Sequence, residues 1–250
     1  MTAGAPAVSV VIPCRNAVAT LGAALDSLVA QGFTAWEALV IDDASQDGSA
    51  ALVAARAAGD PRIRPLAAPA RLGVAGARNL GIRAARGRWI AFLDADDRWR
   101  PEKLALQLPV LQAGAPIVFS AYARVDGAGR VLGIVPAAAR VCHADALRGN
   151  PIGCLTAVWD TATFGKAEMP ALPMHEDYAF WLSLLRSGAC ATGLPQVLAD
   201  YRVAAGSHSG RKLQAAQAVW RILRAEPGLS WPRAAAGFAA YALGAVGRRL

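Results

Sequence analysis

The stretch "RWIAFLDADD", Arg88 to Asp97, carries the reading of this chain: a mostly apolar run in extended order ends in three carboxylates, Asp94, Asp96 and Asp97. Carboxylates that close repel one another unless something positive lies between them. The carboxyl end of a strand in an open α/β sheet is the usual place for a ligand crevice. There a hard cation such as Mg2+ or Mn2+ takes one or two carboxylates and completes its shell with water and phosphate oxygens. In extended backbone alternate residues share a face, so Asp94 and Asp96 can reach one ion while Asp97 points away. Asp96 is the leading metal-ligand candidate. Capping of the following helix is the competing reading of these aspartates.

The flanking sequence predicts an α/β sheet with crossover helices. "VSVVIP" (Val8 to Pro13) reads as the first strand, and Ala17 to Gln31, with Leu21, Leu25 and Leu28 in register, as a helix for which Asn16 is a cap. "EALVID" (Glu37 to Asp42) reads as the second strand, so Asp42 and Asp43 form a second acidic pair at a strand end. Arg62 to Leu66 reads as a third strand, Val74 to Ala85 as a helix, "RWIAFLD" as the fourth strand, and Pro101 opens a helix to about Ala113. If the second and fourth strands are neighbours, five carboxylates rim one cleft.

Beyond Pro116 the texture is less regular. "IVFSAYARV" and "RVLGIVP" flank "DGAG" (Asp126 to Gly129) as a hairpin. A strand near Cys154 to Trp159, a helix from about Glu176 to Ser187, a strand through Val197 to Arg202 and two C-terminal helices follow. Glu176 and Asp177 form a third acidic pair in a helix first turn, where the macrodipole is the ordinary explanation.

Composition narrows the classes. With 250 residues, 55% hydrophobic and 18% charged, the chain is globular rather than disordered. A formal charge of +8 favours phosphate-rich partners. The basic residues are dispersed without aromatic interleaving, so no nucleic-acid partner is expected. Cys14, Cys142, Cys154 and Cys190 are scattered with no C-x-x-C pair, which predicts buried free thiols rather than a zinc site or disulfides. No apolar run reaches the roughly 18 to 20 residues that cross a bilayer, and no basic region precedes the N-terminal apolar run, so a cytoplasmic location is expected. Ala234 to Gly247, bracketed by arginines, predicts one of two things. It is an interfacial helix with Phe238 and Tyr241 toward the acyl chains of an anionic membrane, peripheral on its inner face, or a helix packed back on the domain. No G-x-G-x-x-G follows the first strand and no P-loop motif occurs, which argues against a dehydrogenase and a P-loop kinase.

The segment from Val8 to about Leu104, through "VSVVIPC", "VIDDASQDGS", "RLGVAGARN" and "FLDADD", resembles the nucleotide-sugar-binding half of the family 2 inverting glycosyltransferases. "MHEDYAFWLSLLRSG" and "DYRVAAGSHSG" extend the similarity to bacterial members that build teichuronic acids, capsules and O-antigens. The resemblance implies a GT-A fold, a Rossmann-like and mainly parallel sheet flanked by helices, with a C-terminal helical tail. It implies a nucleoside-diphosphate sugar donor, UDP-sugar favoured, a divalent metal, Mn2+ or Mg2+, and a glycan or lipid-linked acceptor. The corresponding division is a catalytic domain over 1–210, with a donor half 1–115 and an acceptor half 116–210, and a tail over 211–250.

Residue by residue, the resemblance places Pro13 beside the nucleoside, Asp43 as acceptor of the uracil N–H and Arg78 near the base or phosphates. By the same resemblance Asp94 would hold the donor ribose or sugar, Asp96 the metal, Asp97 would contact the donor sugar or orient the site, and Asp177 would be the catalytic base. His208 or Arg202 approaches the metal or diphosphate, with a solvated loop histidine as the alternative for His208; His143 and His175 have no metal-pair spacing. The Q-x-x-R-W motif of processive members is absent, so one sugar is transferred per encounter. A nucleotidyltransferase that makes sugar nucleotides needs a similar cleft and metal, but it carries a glycine- and arginine-rich loop after the first strand, where this chain has "PCRNAV".

Overall fold

The computed structural model describes residues 5–203 and 210–247. In the N-terminal half, four parallel strands, β1 (Val8–Cys14), β2 (Trp36–Asp42), β3 (Ile63–Ala67) and β4 (Trp89–Phe92), lie in the order β3-β2-β1-β4. Three crossover helices join them: α1 (Val18–Val29), α2 (Ser49–Gly59) and α3 (Gly73–Ala84). Both faces of β1 are covered, which accounts for its nearly uninterrupted apolar run. Val10 and Ile12 pack with Leu21, Leu25 and Leu28 of α1, while Val11 packs on the other side with Ala77 and Ile82 of α3. Gly81 lets α3 approach the sheet, since a Cβ there would stand 2.5 Å from Val11 and 2.8 Å from Ile41.

The second half begins with β5 (Arg98–Trp99), α4 (Lys103–Gln112) and the hairpin β6 (Ile117–Val125) and β7 (Val131–Val135). After these come β8 (Arg140–Cys142), α5 (His143–Ala146), a 3-10 turn (Cys154–Thr156), β9 (Val158–Asp160), α6 (Thr161–Phe164), α7 (Glu176–Leu185) and β10 (Cys190–Arg202). β9 runs antiparallel between β4 and β6, so the sheet is continuous through both halves, and β10 lies parallel to β6 with β5 antiparallel on its far side. This is the expected GT-A arrangement. β10 starts earlier than the sequence suggests; Pro195, which has no N–H to give, falls where the register with β6 shifts between Leu194 and Val197. The "DGAG" turn forms as predicted, with Asp126 Oδ1 accepting from the backbone of Ala128 and Arg130.

An aromatic cluster fastens α7 to the sheet. Trp159 of β9 stands 5.1 Å from Phe92 of β4 and 5.3 Å from Phe180 of α7, centroid to centroid, and Phe180 lies 4.9 Å from Trp181. Pairs of this kind contribute about 0.5–1.5 kcal/mol beyond their burial. They fix the helix whose first turn carries Glu176 and Asp177.

One expectation is corrected and one pair of alternatives is decided. Cys142 and Cys190 are joined by a disulfide, because β8 pairs antiparallel with β10 and sets the two residues opposite each other; Cys14 and Cys154 are the free, buried thiols. The C-terminal helices α8 (Gly210–Ala225) and α9 (Trp231–Gly247) fold back on the domain. Phe238 and Tyr241 pack against the core, Trp220 contacts the rings of Trp231 and Phe238, and a Cβ at Gly237 would stand 2.4 Å from the Leu147 carbonyl. That face of α9 therefore covers protein rather than acyl chains. No helix among the described residues is long and apolar enough to cross a membrane.

Candidate active site

The carboxyl ends of β1, β2 and β4 open into a cleft of about 520 Å3. β1 lies between β2 and β4, so the two acidic strand ends flank the first strand instead of adjoining each other. Pro13, Asp43, Asp94 and Asp96 line the cleft, with Arg15, Asn16, Arg71 and Arg202 among the other walls. Asp42, Arg78, Asp97 and Asp177 are not on its surface. His208 lies outside the described residues.

Asp43 is nearly inaccessible and accepts from the backbone N–H groups of Leu72 at 2.5 Å and Gly73 at 2.9 Å. It thereby ties the start of α3 to the end of β2, where Gly73 takes a left-handed φ of 73°. Asn16 is not a cap of α1. It adopts φ 48° and receives the Gln46 N–H on its side chain, locking the loop after β1 to the loop after β2. The α1 N-terminus is capped across that gap instead, by Ser49 on Ala17 N and Asp47 on Val18 N.

Asp94 and Asp96 face the same cleft while Asp97 turns inward, but a turn sets this arrangement and not extended backbone: β4 ends at Phe92, and the Asp97 N–H donates to Asp94 O at 3.1 Å. Asp97 accepts the Arg202 N–H at 2.8 Å, its other oxygen is buried without a partner, and burial together with the charge of Asp94 pushes its pKa up to about 8. The surrounding protein and the charge of Asp94 also raise the pKa of Asp96, whose carboxylate still opens to solvent. Two crowded carboxylates on one cleft fit a hard cation that draws its remaining ligands from phosphate and water. Among the described residues no group of three His, Cys, Asp or Glu could hold an ion by itself. Arg202 closes the edge of the cleft, its guanidinium reaching the backbone oxygens of Asp96 and Gly127.

Arg78 stands behind this wall rather than on it. Its guanidinium donates to Asp94 Oδ1 at 2.7 Å and to Glu176 Oε1 at 2.8 Å, lies over the Phe92 ring and touches Met169 Sδ at 3.8 Å. The expected position near base or phosphates gives way to a buried bridge between the D-x-D strand end and the first turn of α7. Asp177, the next residue, accepts from Asn150 Nδ2 at 2.9 Å, and burial raises its pKa while Arg78 partly opposes the rise. His175, immediately before this pair, has φ 60° and a buried Nε2 with no partner. Left-handed backbone at a non-glycine residue stores strain, typically where a site needs a fixed geometry.

Sequence reasoning did not single out Arg15, Arg71 or Asn150. Arg71 carried a usable signal, a basic residue just before the glycine that opens α3 at a strand end. Asn150 carried none, since its partner lies 27 residues away on another element.

Residues 9–141 match the description of glycosyl transferase family 2. Over the whole length of both chains the protein is 34% identical to TuaG of Bacillus subtilis strain 168, a glycosyltransferase named for teichuronic acid biosynthesis. It is 32% identical, over 86% of its length and 85% of the relative's, to the Escherichia coli UDP-Glc:alpha-D-GlcNAc-diphosphoundecaprenol beta-1,3-glucosyltransferase WfgD. The chain belongs to glycosyl transferase family 2. Two solved structures share the fold at low identity. Staphylococcus aureus TarS 1-349 with UDP-GlcNAc matches at 17% identity and TM-score 0.72, over 94% of this chain and 71% of that one. The Pyrobaculum calidifontis mannosyltransferase PcManGT with GDP-Man and Mn2+ matches at 21% identity and TM-score 0.69, over 98% and 80%.

Proposed function

We propose that this glycosyltransferase moves one sugar, with inversion, from a UDP-sugar to a lipid-linked glycan acceptor during assembly of a bacterial surface polysaccharide. One observation carries the reading. Arg78 joins Asp94, on the wall of a cleft edged by three arginines, to the helix turn that presents Asp177. Donor and base are thus set by a single buried cation. The WfgD acceptor, a diphosphoundecaprenol-linked sugar, and the UDP-GlcNAc bound by TarS support the substrate class.

In this reading Pro13 borders the nucleoside and Asp43 supports the base-binding wall, through the loop it ties and through its own carboxylate. Arg15, Arg71 and Arg202 neutralise the diphosphate. Asp94 orients the donor ribose or sugar, Asp97 positions the Arg202 backbone, and Asp96 with Asp94 would hold Mn2+ or Mg2+. That ion supplies positive charge to the departing diphosphate when bound. Asp177, held by Asn150, takes the acceptor hydroxyl proton as the oxygen attacks the anomeric carbon from the face opposite the nucleotide, a contribution of about 10² to 10⁴ in rate. Residues 1–115 then form the donor half, 116–210 the acceptor half and 211–250 the C-terminal tail, in an enzyme working at the inner face of a membrane.

Incubation with UDP-glucose or UDP-N-acetylglucosamine and a short-chain polyprenyl diphosphate carrying one sugar tests the proposal. A product with inverted anomeric configuration by NMR is expected. Sugar-nucleotide formation from a sugar phosphate and a nucleoside triphosphate, without transfer, would replace the reading with a nucleotidyltransferase.

A further inference from the structure

The β6–β7 hairpin exposes large apolar side chains that nothing in the described chain covers. Val131, Leu132 and Ile134 are 58%, 56% and 61% accessible. Val131 lies on one face of β7 and Leu132 and Ile134 on the other, so the strand projects apolar groups on both sides. A soluble edge strand ordinarily blunts such exposure with charge or proline.

The surrounding charge is net positive. Arg124 and Arg130 lie on the hairpin and Arg98 reaches its turn at Gly129, whereas the carboxylate of the hairpin, Asp126, is already paired with Arg130. The hairpin is also tied to the reaction centre. Arg202 donates to Gly127 O at 3.1 Å and to Asp96 O at 3.3 Å, so one side chain spans the turn and the D-x-D segment. Val203 N continues the tie to Val125 O.

We infer that the β6–β7 hairpin is the membrane-docking element, inserting Val131, Leu132 and Ile134 into the interface of an anionic bilayer with Arg98 and Arg124 at its phosphates. Apolar side chains flanked by cations have the chemistry of interfacial binding, in which buried area and attraction to anionic lipid add together. Docking here turns the rim of the cleft toward the bilayer, where the headgroup of a lipid-linked acceptor sits. The inference rests on the lipid-linked acceptor reading above and reassigns membrane contact from the C-terminal helix to this hairpin.

The test is sedimentation of the full chain with vesicles of phosphatidylglycerol and phosphatidylethanolamine, or of phosphatidylcholine alone. The wild-type protein is compared with L132S/I134S and with R124E, and UDP binding and thermal unfolding are measured on each. Expected is binding to the anionic vesicles only, weakened about tenfold or more in L132S/I134S and clearly in R124E, with UDP affinity and melting temperature unchanged. Vesicle binding by L132S/I134S equal to wild type would overturn the inference. So would a wild-type protein that ignores vesicles and elutes as a dimer that L132S/I134S splits, which would assign the strand to a second copy of the chain. Loss of UDP binding by the wild-type protein would count against the donor-site reading instead, so the two failures are separable.

Discussion

Arg78 holds Asp94 at 2.7 Å and Glu176 at 2.8 Å from opposite sides of one guanidinium that is 5% exposed. Asp94 follows the end of β4 on the wall of the cleft, and Glu176 begins the helix that carries Asp177. The planar fork of arginine can serve two carboxylates at once, which the point charge of lysine cannot do in the same geometry. Arg78→Lys is expected to lower kcat by about 10²-fold, the scale of a misplacement near 1 Å, while the protein stays folded. Steady-state kinetics on the purified variant check this, and an unchanged kcat would show that the bridge does not position the site.

Asp177→Asn keeps the size of the side chain and removes the proposed base. Transfer should fall by about 10² to 10⁴ with UDP affinity nearly unchanged, as read by single-turnover kinetics beside calorimetry. Asn150→Ala frees the carboxylate without deleting it, so a smaller loss is expected. Equal losses in both variants would mean that Asn150 does more than orient Asp177.

The pH profile follows from the surroundings of Asp177. Burial raises its pKa and Arg78 opposes only part of the rise. A base must be deprotonated to act, so kcat/KM should climb with pH through a midpoint above the ordinary aspartate value of about 4. A plateau already reached at pH about 4 would contradict the assignment.

Far from the cleft, Glu37 offers a stability test. Burial works to raise its pKa, but donation from Ser9 Oγ, the Arg86 backbone, Arg64 and the Arg86 side chain outweighs it, and the pKa is lowered. The charged form is therefore stabilised on folding. That contribution is complete above the ordinary glutamate range and is lost as pH falls through the depressed folded value. Both arginines are partly exposed and solvent-screened, so Glu37→Gln should cost about 2 kcal/mol at neutral pH. Thermal melts should show a difference from wild type that narrows in acid.

The strand-helix alternation of the first half was readable because β1, β2 and β4 are covered on both faces, and continuous burial writes itself as β-branched and apolar runs. Asp94 and Asp96 share the cleft as expected of extended backbone, but a turn closed by the Asp97 N–H on Asp94 O produces that outcome. Contacts between distant segments were not readable. Cys142 and Cys190 meet only because β8 and β10 pair across 48 residues. Arg78 looked like a ligand contact because its neighbours Gly73 and Gly76 suggest a backbone approach, yet its side chain turns toward an element 98 residues on. Phe238 and Tyr241 form an apolar stripe whether the stripe meets lipid or protein, and only the packing of α9 on Leu147 and Trp220 decides between them.

The most direct test of the central claim is calorimetric titration of UDP into the protein with Mn2+, with chelator, and with Mn2+ on Asp96→Ala. Tight binding with Mn2+ that weakens at least about tenfold in chelator and in the variant is the predicted result, since Asp96 would hold a cation that would offset the diphosphate charge. Absence of UDP binding in every condition, with GDP and dTDP equally inert, would contradict the assignment of this cleft to a nucleotide-sugar donor.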